Sequence, residues 1–229
     1  MRALSRRLAR LRATGDRGLT LTELIVSLTI FAFVLAIGGV TIVQVSRATV
    51  DAKMRSESAT NVLTAFQYLD RQVRYADAIN FAGIGGEGAA YVEFRIPRSS
   101  RPPLHDGTDP QHDQCVQWRF LPDSGALQVR QWDDRAGVTL PEWATRARLI
   151  TSEASREYPF QMIPARAGSA ATQSLRIQLE AGGVPEHSRT RVDTRLVARN
   201  SSLASTSNLD GNGDGVSDVP VCSPLNVRS

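Results

Sequence analysis

Arg17-Gly18-Leu19-Thr20-Leu21-Thr22-Glu23-Leu24-Ile25-Val26 leads into a run, residues 24–46, of 23 residues without a charge. As a helix rising 1.5 Å per residue, that run covers about 34 Å, enough to cross a hydrocarbon core of about 30 Å. On its N-terminal side, residues 1–18 hold six arginines (Arg2, Arg6, Arg7, Arg10, Arg12 and Arg17) and one acid, Asp16. Positive charge at one end of a span keeps that end cytoplasmic and sends the remainder across. The apolar run is longer than the core of a secretory signal, and no A-x-A cleavage site follows it. The expectation is a single pass through the inner (cytoplasmic) membrane, with the N-terminus inside and the bulk of the chain extracytoplasmic.

The charge balance depends on the same segment. All 229 residues together carry a net charge of +4, which invites a nucleic-acid reading. Without residues 1–18 the basic residues fall from 27 to 21 and the acidic ones from 23 to 22, a net charge of −1. A near-neutral body has no electrostatic footprint for a phosphate backbone, so no nucleic-acid partner is expected for it. Hydrophobic content of 41% supports a packed core, and 22% charged residues argue against wholesale disorder.

Glu23 is out of place at the edge of an apolar helix. A carboxylate there costs about 2.5–3.5 kcal/mol at full depth, less near the interface. Taken alone it is either an interfacial residue touching headgroups or a functional charge. Its surroundings are a basic leader, Gly18, the hydrophobic Leu19, Glu23 fifth after Gly18, and then the apolar run. Together they resemble the type IV prepilin cleavage and methylation motif, with Leu19 standing where phenylalanine is commoner. The resemblance implies that a prepilin peptidase cuts between Gly18 and Leu19 on the cytoplasmic side. It also implies that the new amine of Leu19 is N-methylated, and that Glu23 pairs with that amine on a neighbouring subunit during assembly. Gly18 offers no side chain to obstruct a peptidase. An opposite charge in a low-dielectric bundle would offset the desolvation of Glu23.

Beyond residue 46, Val62, Phe66, Leu69, Val73 and Ala76 recur at helical spacing, with Asp51, Arg55, Asp70, Arg71 and Arg74 largely off that stripe. The pattern predicts an amphipathic helix continuing to about Ala78. Gly83-Ile84-Gly85-Gly86-Glu87-Gly88 then formally matches G-x-G-x-x-G. A helix precedes it and a strand follows, the reverse of what dinucleotide binding needs, so it reads as a linker. From Tyr91 the period becomes two, with candidate strands at 91–96, 115–121, 126–132, 147–151, 174–180 and 191–198. Pro122-Asp123-Ser124-Gly125 is a turn signal joining the second and third as a hairpin. The fold expected is α+β and pilin-like, a long N-terminal helix packed on an antiparallel β-sheet head. The organisation expected is a leader at 1–18, a membrane and filament-core helix at 19–46, an amphipathic helix at 47–80 and a β-rich head at 81–229. Leu69-Asp70-Arg71-Gln72-Val73-Arg74-Tyr75-Ala76, the W-R-F and G-A-L-Q-V-R hairpin and Thr194-Arg195-Leu196-Val197-Ala198-Arg199-Asn200 are similar to J-type pseudopilins and PilW-like minor pilins. That resemblance implies a place at the filament tip and a part in initiating assembly.

Several constellations remain. Cys115 and Cys222 form no C-x-x-C pair. In an oxidising compartment they can close one large loop worth about 4–5 kcal/mol; two unrelated buried thiols are the other reading. Asp210, Asn212, Asp214 and Asp218 occupy positions 1, 3, 5 and 9 of a calcium-loop spacing, with Gly215 at position 6. Position 12 is Val221 instead of a bidentate glutamate, so the choices are a calcium-stapled turn or an Asx- and Gly-rich surface turn. His105, Asp106, Asp109, His112, Asp113 and Cys115 cluster in a Pro/Gly-rich loop and read as solvated polar residues, without the convergence a transition-metal site needs. Arg189, Arg191 and Arg195 read as a solvated sheet face. No grouping of nucleophile, base and acid indicates an enzyme, and no cofactor other than calcium is indicated. Two functions fit. One is a minor pilin or pseudopilin subunit of a type IV pilus, DNA-uptake or type II secretion-like filament, partnered by the peptidase, other pilins and the membrane. The other is a monomeric membrane-tethered extracellular β-domain that binds a ligand.

Overall fold

The computed structural model describes residues 20–104, 106–148, 154, 158–181, 190–224 and 228. The chain divides into two units, Met1–Val50 and Asp51–Ser229. A helix, α1 (Leu21–Tyr75), begins in the first and ends in the second. Its stretch Leu21–Lys53 is long and apolar enough to cross a membrane, by length and composition. Among the described residues of the first unit the large apolar side chains, Phe31, Phe33, Leu35, Ile37 and Ile42 included, are all exposed. A surface of that kind calls for apolar surroundings. Two threonines in it are internally satisfied: Thr29 and Thr41 donate their hydroxyls to the carbonyls of Ile25 and Ile37, at 2.7 and 3.0 Å. Such back-bonding lets a hydroxyl sit in an apolar helix without an unmet donor.

In the second unit the predicted stripe is the buried face of the helix. Val62, Ala65, Leu69 and Val73 are buried, and Phe66 packs partly against them. The helix ends at Tyr75, short of the Ala78 read from the sequence, because Ala78 and Ile79 pair as a strand with Arg95 and Phe94. The end is closed by the later chain: Arg199 N–H donates to the Arg74 carbonyl at 3.2 Å, and Asn200 Nδ2 to that of Tyr75 at 2.8 Å. These bonds satisfy carbonyls that lack helical partners.

Two antiparallel sheets follow. The first holds β1 (Ala78–Ile79), β2 (Gly83–Ile84), β3 (Ala90–Ile96), β4 (Gln114–Leu121), β5 (Ala126–Asp133) and β6 (Ala144–Arg148). Its order is β1-β3-β4-β5-β6, with β2 also on β3. The second holds β7 (Phe160–Ile163), β8 (Ser174–Ala181) and β9 (Thr190–Val197), in that order. The β4–β5 hairpin turns at Gly125, whose φ of 59° is the left-handed conformation that glycine adopts without strain. One core joins both sheets to the helix: Phe94, Trp118, Phe120, Leu127, Phe160, Leu175 and Ile177 pack with Leu69 and Val73. Trp118 Nε1 donates to Gln72 Oε1 at 2.9 Å, so the indole is buried without an orphaned donor.

The α+β architecture read from the sequence is therefore present, as a head with two sheets. The strand read at 147–151 is β6, displaced to Ala144–Arg148; residues 149–153 lie outside the described residues. β2 falls inside the glycine stretch read as a linker. It, β1 and β7 are too short to set up a period of two and are held by pairing with longer strands.

Candidate functional site

Gly18 and Leu19 lie outside the described residues, and the visible end of the motif is the start of α1. There Thr20 and Glu23 bond reciprocally. Glu23 Oε2 accepts from the Thr20 N–H at 3.0 Å and from its hydroxyl at 3.0 Å, while Glu23 N–H donates to Thr20 Oγ1 at 3.3 Å. The first helical bond, Leu24 N–H to the Thr20 carbonyl, is 3.2 Å. Thr20 is thus the N-cap and Glu23 the third helical residue of a capping box, which closes two free amides at once. Thr20-Leu21-Thr22-Glu23 carries the S/T-x-x-E signature of this arrangement, which singling out Glu23 alone overlooks. Within its own chain Glu23 is both a helix cap and a charge beside the apolar run.

The second candidate, the Asp/Gly loop, is closed by its own side chains. Asp218 Oδ2 accepts from Gly211 N–H at 2.7 Å, Asp210 Oδ2 from Gly215 N–H at 3.1 Å, Asn212 Oδ1 from Asp214 N–H at 3.0 Å and Asp214 Oδ1 from Val216 N–H at 2.8 Å. The last two are Asx-turns, and the first two close the loop across seven and five residues. Gly213 and Gly215 adopt φ of 71° and 76° between them. Among the described residues no three acidic, histidine or cysteine side chains converge on one point. Asp210 Oδ1 is buried without a hydrogen-bond partner, the one observation that favours an ion there.

Cys115 and Cys222 form a disulfide with Cα atoms 5.5 Å apart, 107 residues apart in sequence. It pins the C-terminal segment against the face of the first sheet opposite the helix, where Ala78, Trp132 and Val221 complete a small apolar cluster. Paired bonds tie the segment down: Asn80 Nδ2 donates to the Val221 carbonyl at 3.0 Å and Val221 N–H to Asn80 Oδ1 at 2.9 Å. Trp132 Nε1 donates to the Ser223 carbonyl at 2.6 Å. Further along, Arg228 forks onto Glu93, with Nε and Nη2 donating at 3.1 and 2.9 Å. Glu93 in turn accepts from Gln117 Nε2 at 2.8 Å, and Gln117 Oε1 from Arg130 Nε at 2.7 Å. Arg130 and Arg119 both stack on Trp143, each 4.2 Å from the ring centre. Burial, and after it the repulsion of Arg119, pulls the Arg130 guanidinium below its ordinary range.

The glycine stretch belongs to this region. A Cβ on Gly83 would lie 2.1 Å from Arg228 Nη1, and one on Gly85 would lie 2.3 Å from the Arg228 carbonyl oxygen. Its glycines make room for a side chain and backbone close by. The remaining constellations do not converge. Asp106 caps Thr108, whose hydroxyl and N–H hold its carboxyl below the usual range. Asp113 accepts from Arg98 N–H at 2.9 Å, and His105 lies outside the described residues. Arg191 and Arg195 are exposed on β9, and Asp193 between them is held below the usual carboxylate range by the Arg176 fork. Arg189 lies outside the described residues.

Residues 14–39 match the family model for the prokaryotic N-terminal methylation motif. Comparisons with curated proteins and with solved structures return no match. The chain thus carries a prokaryotic N-terminal methylation motif at the start of a helix long and apolar enough to cross a membrane, ahead of an α+β head, an arrangement consistent with a type IV prepilin or pseudopilin.

Proposed function

We propose that this protein is a minor pilin or pseudopilin, cut after Gly18, N-methylated on Leu19 and assembled through α1 into a type IV pilus, DNA-uptake or type II secretion-like filament. The observation that carries the reading is register. Glu23 stands fifth after Gly18 and at the first turn of a helix whose apolar side chains are exposed throughout residues 21–50. The basic leader supports an N-terminus on the cytoplasmic side, with the head outside the membrane. The W-R-F hairpin, its tryptophan at the centre of the core, supports a place among J-type and PilW-like subunits. The partners are then a prepilin peptidase, other pilins and the membrane, and the role is structural.

The capping box adds a step to this account. In the single chain Glu23 is held by Thr20. On assembly its charge is handed to the Leu19 amine of a neighbour, which replaces two local hydrogen bonds with a charge pair in a low-dielectric bundle. Glutamine keeps a capping box, whereas alanine abolishes it. Gly18→Ala is expected to retain the leader, and Glu23→Gln and Glu23→Ala to be processed normally, read by gel mobility. Both Glu23 variants are expected to enter filaments about tenfold less than the parent, as when one buried charge partner is removed. Normal incorporation of Glu23→Gln would mean that Glu23 acts only as a helix cap.

A further inference from the structure

Tyr68 lies on the helix where it meets the first sheet, and two guanidinium groups stack on its ring. Arg71, one turn on, lies 5.6 Å from the ring centre, and Arg146 of β6 lies 4.5 Å from it. Both arginines are exposed, and neither makes a hydrogen bond or ion pair with a described residue. Arg146 is aimed there by a β-bulge: Gln128 pairs with Thr145 and Leu127 with Ala147, so Arg146 is the extra residue between them. A bulge of this kind re-aims one side chain out of the ladder. The Tyr68 hydroxyl is fixed in turn by the Gln131 amide. Like charges held on one ring repel, and among the described residues no carboxylate forms an ion pair with either.

Tyr68 and Arg71 are also walls of a groove of about 1000 Å³ that continues past Tyr75, Arg101, Pro102 and Leu104. No aspartate or glutamate lines it. Arg101 is neutralised by Asp133 at 2.9 Å, which leaves Arg71 as the uncompensated charge in the lining. Tyr75 and Leu104 are about half exposed, which adds apolar contact beside the cations. We propose that this groove docks an acidic peptide segment of a partner protein, its carboxylates on Arg71 in the lining and on Arg146, which stands outside the lining against the Tyr68 ring, and its apolar stems against Tyr75 and Leu104. A nucleic-acid strand fits less well. Two free guanidiniums on a body of net charge −1 give little attraction for a phosphate backbone, and Tyr68 is already stacked by cations. This inference does not depend on filament entry.

The test uses the full chain in detergent micelles and fluorescence anisotropy with labelled hexaglutamate, hexalysine and a thymidine oligonucleotide. Hexaglutamate is expected to bind more weakly as salt rises. Arg71→Gln and Arg146→Gln should each weaken it about tenfold, as for loss of a charge-assisted bond, while Arg191→Gln on the exposed face of β9 leaves it unchanged. The Arg71→Glu/Arg146→Glu double variant should bind hexalysine instead, with a melting curve like the parent's. No hexaglutamate binding, binding indifferent to both glutamine variants, or preference for the oligonucleotide would overturn the proposal.

Discussion

Glu93 and Arg228 are the most enclosed ion pair among the described residues, their side chains 5% and 11% exposed. Removing one member of such a pair leaves the other buried and unpaired, which costs more than the pair itself contributes. Arg228→Ala is therefore expected to lower unfolding stability by about 3 kcal/mol, read as a shift in the urea midpoint; an unchanged midpoint would show that Glu93 is adequately held by Gln117. Nothing in the sequence announces this pair, because 135 residues separate its members and the glycines that admit Arg228 read as a linker. Glu23 was legible for the opposite reason. Its position is fixed by neighbours within six residues, all belonging to one local motif. Thr20 is equally legible as a cap, from the S/T-x-x-E spacing to Glu23.

At the scale of elements, periodicity over many residues was a good guide and short pieces were not. The stripe Val62, Leu69, Val73 is the buried face of the helix, and the hairpin Cys115 to Trp132 keeps its predicted turn. The helix end was misplaced because Ala76 and Ala78 are good helix formers, whereas the pairing that captures Ala78 comes from β3, beyond the reach of local propensity. The Asp/Gly loop matched a calcium spacing in the sequence, yet each of its four ligand candidates already caps a backbone amide. A chelator is expected to leave the melting temperature unchanged. A rise on adding calcium to chelator-treated protein would show instead that Asp210 Oδ1 holds an ion.

For the whole molecule, the C-terminal segment covers the second face of the first sheet, and the Cys115–Cys222 bond holds it there. The sequence left the pairing of the two cysteines open; the fold brings them together across 107 residues. Closing so long a loop restrains the unfolded chain by about 4–5 kcal/mol. Reduction should thus lower the melting temperature by about 10 °C, and an unchanged value would mean that Asn80, Trp132 and Arg228 hold the segment unaided. The bond also suits a head that lies in an oxidising compartment, the side to which the basic leader would send it. Both the apparent basicity of the chain and its proposed route to a filament turn on one peptide bond, Gly18–Leu19. Intact-mass and N-terminal fragment spectrometry of the protein from its native membrane tests this most directly. A chain that begins at an N-methylated Leu19 is expected; an intact Met1, or a cut beyond Val45, would overturn the proposed processing.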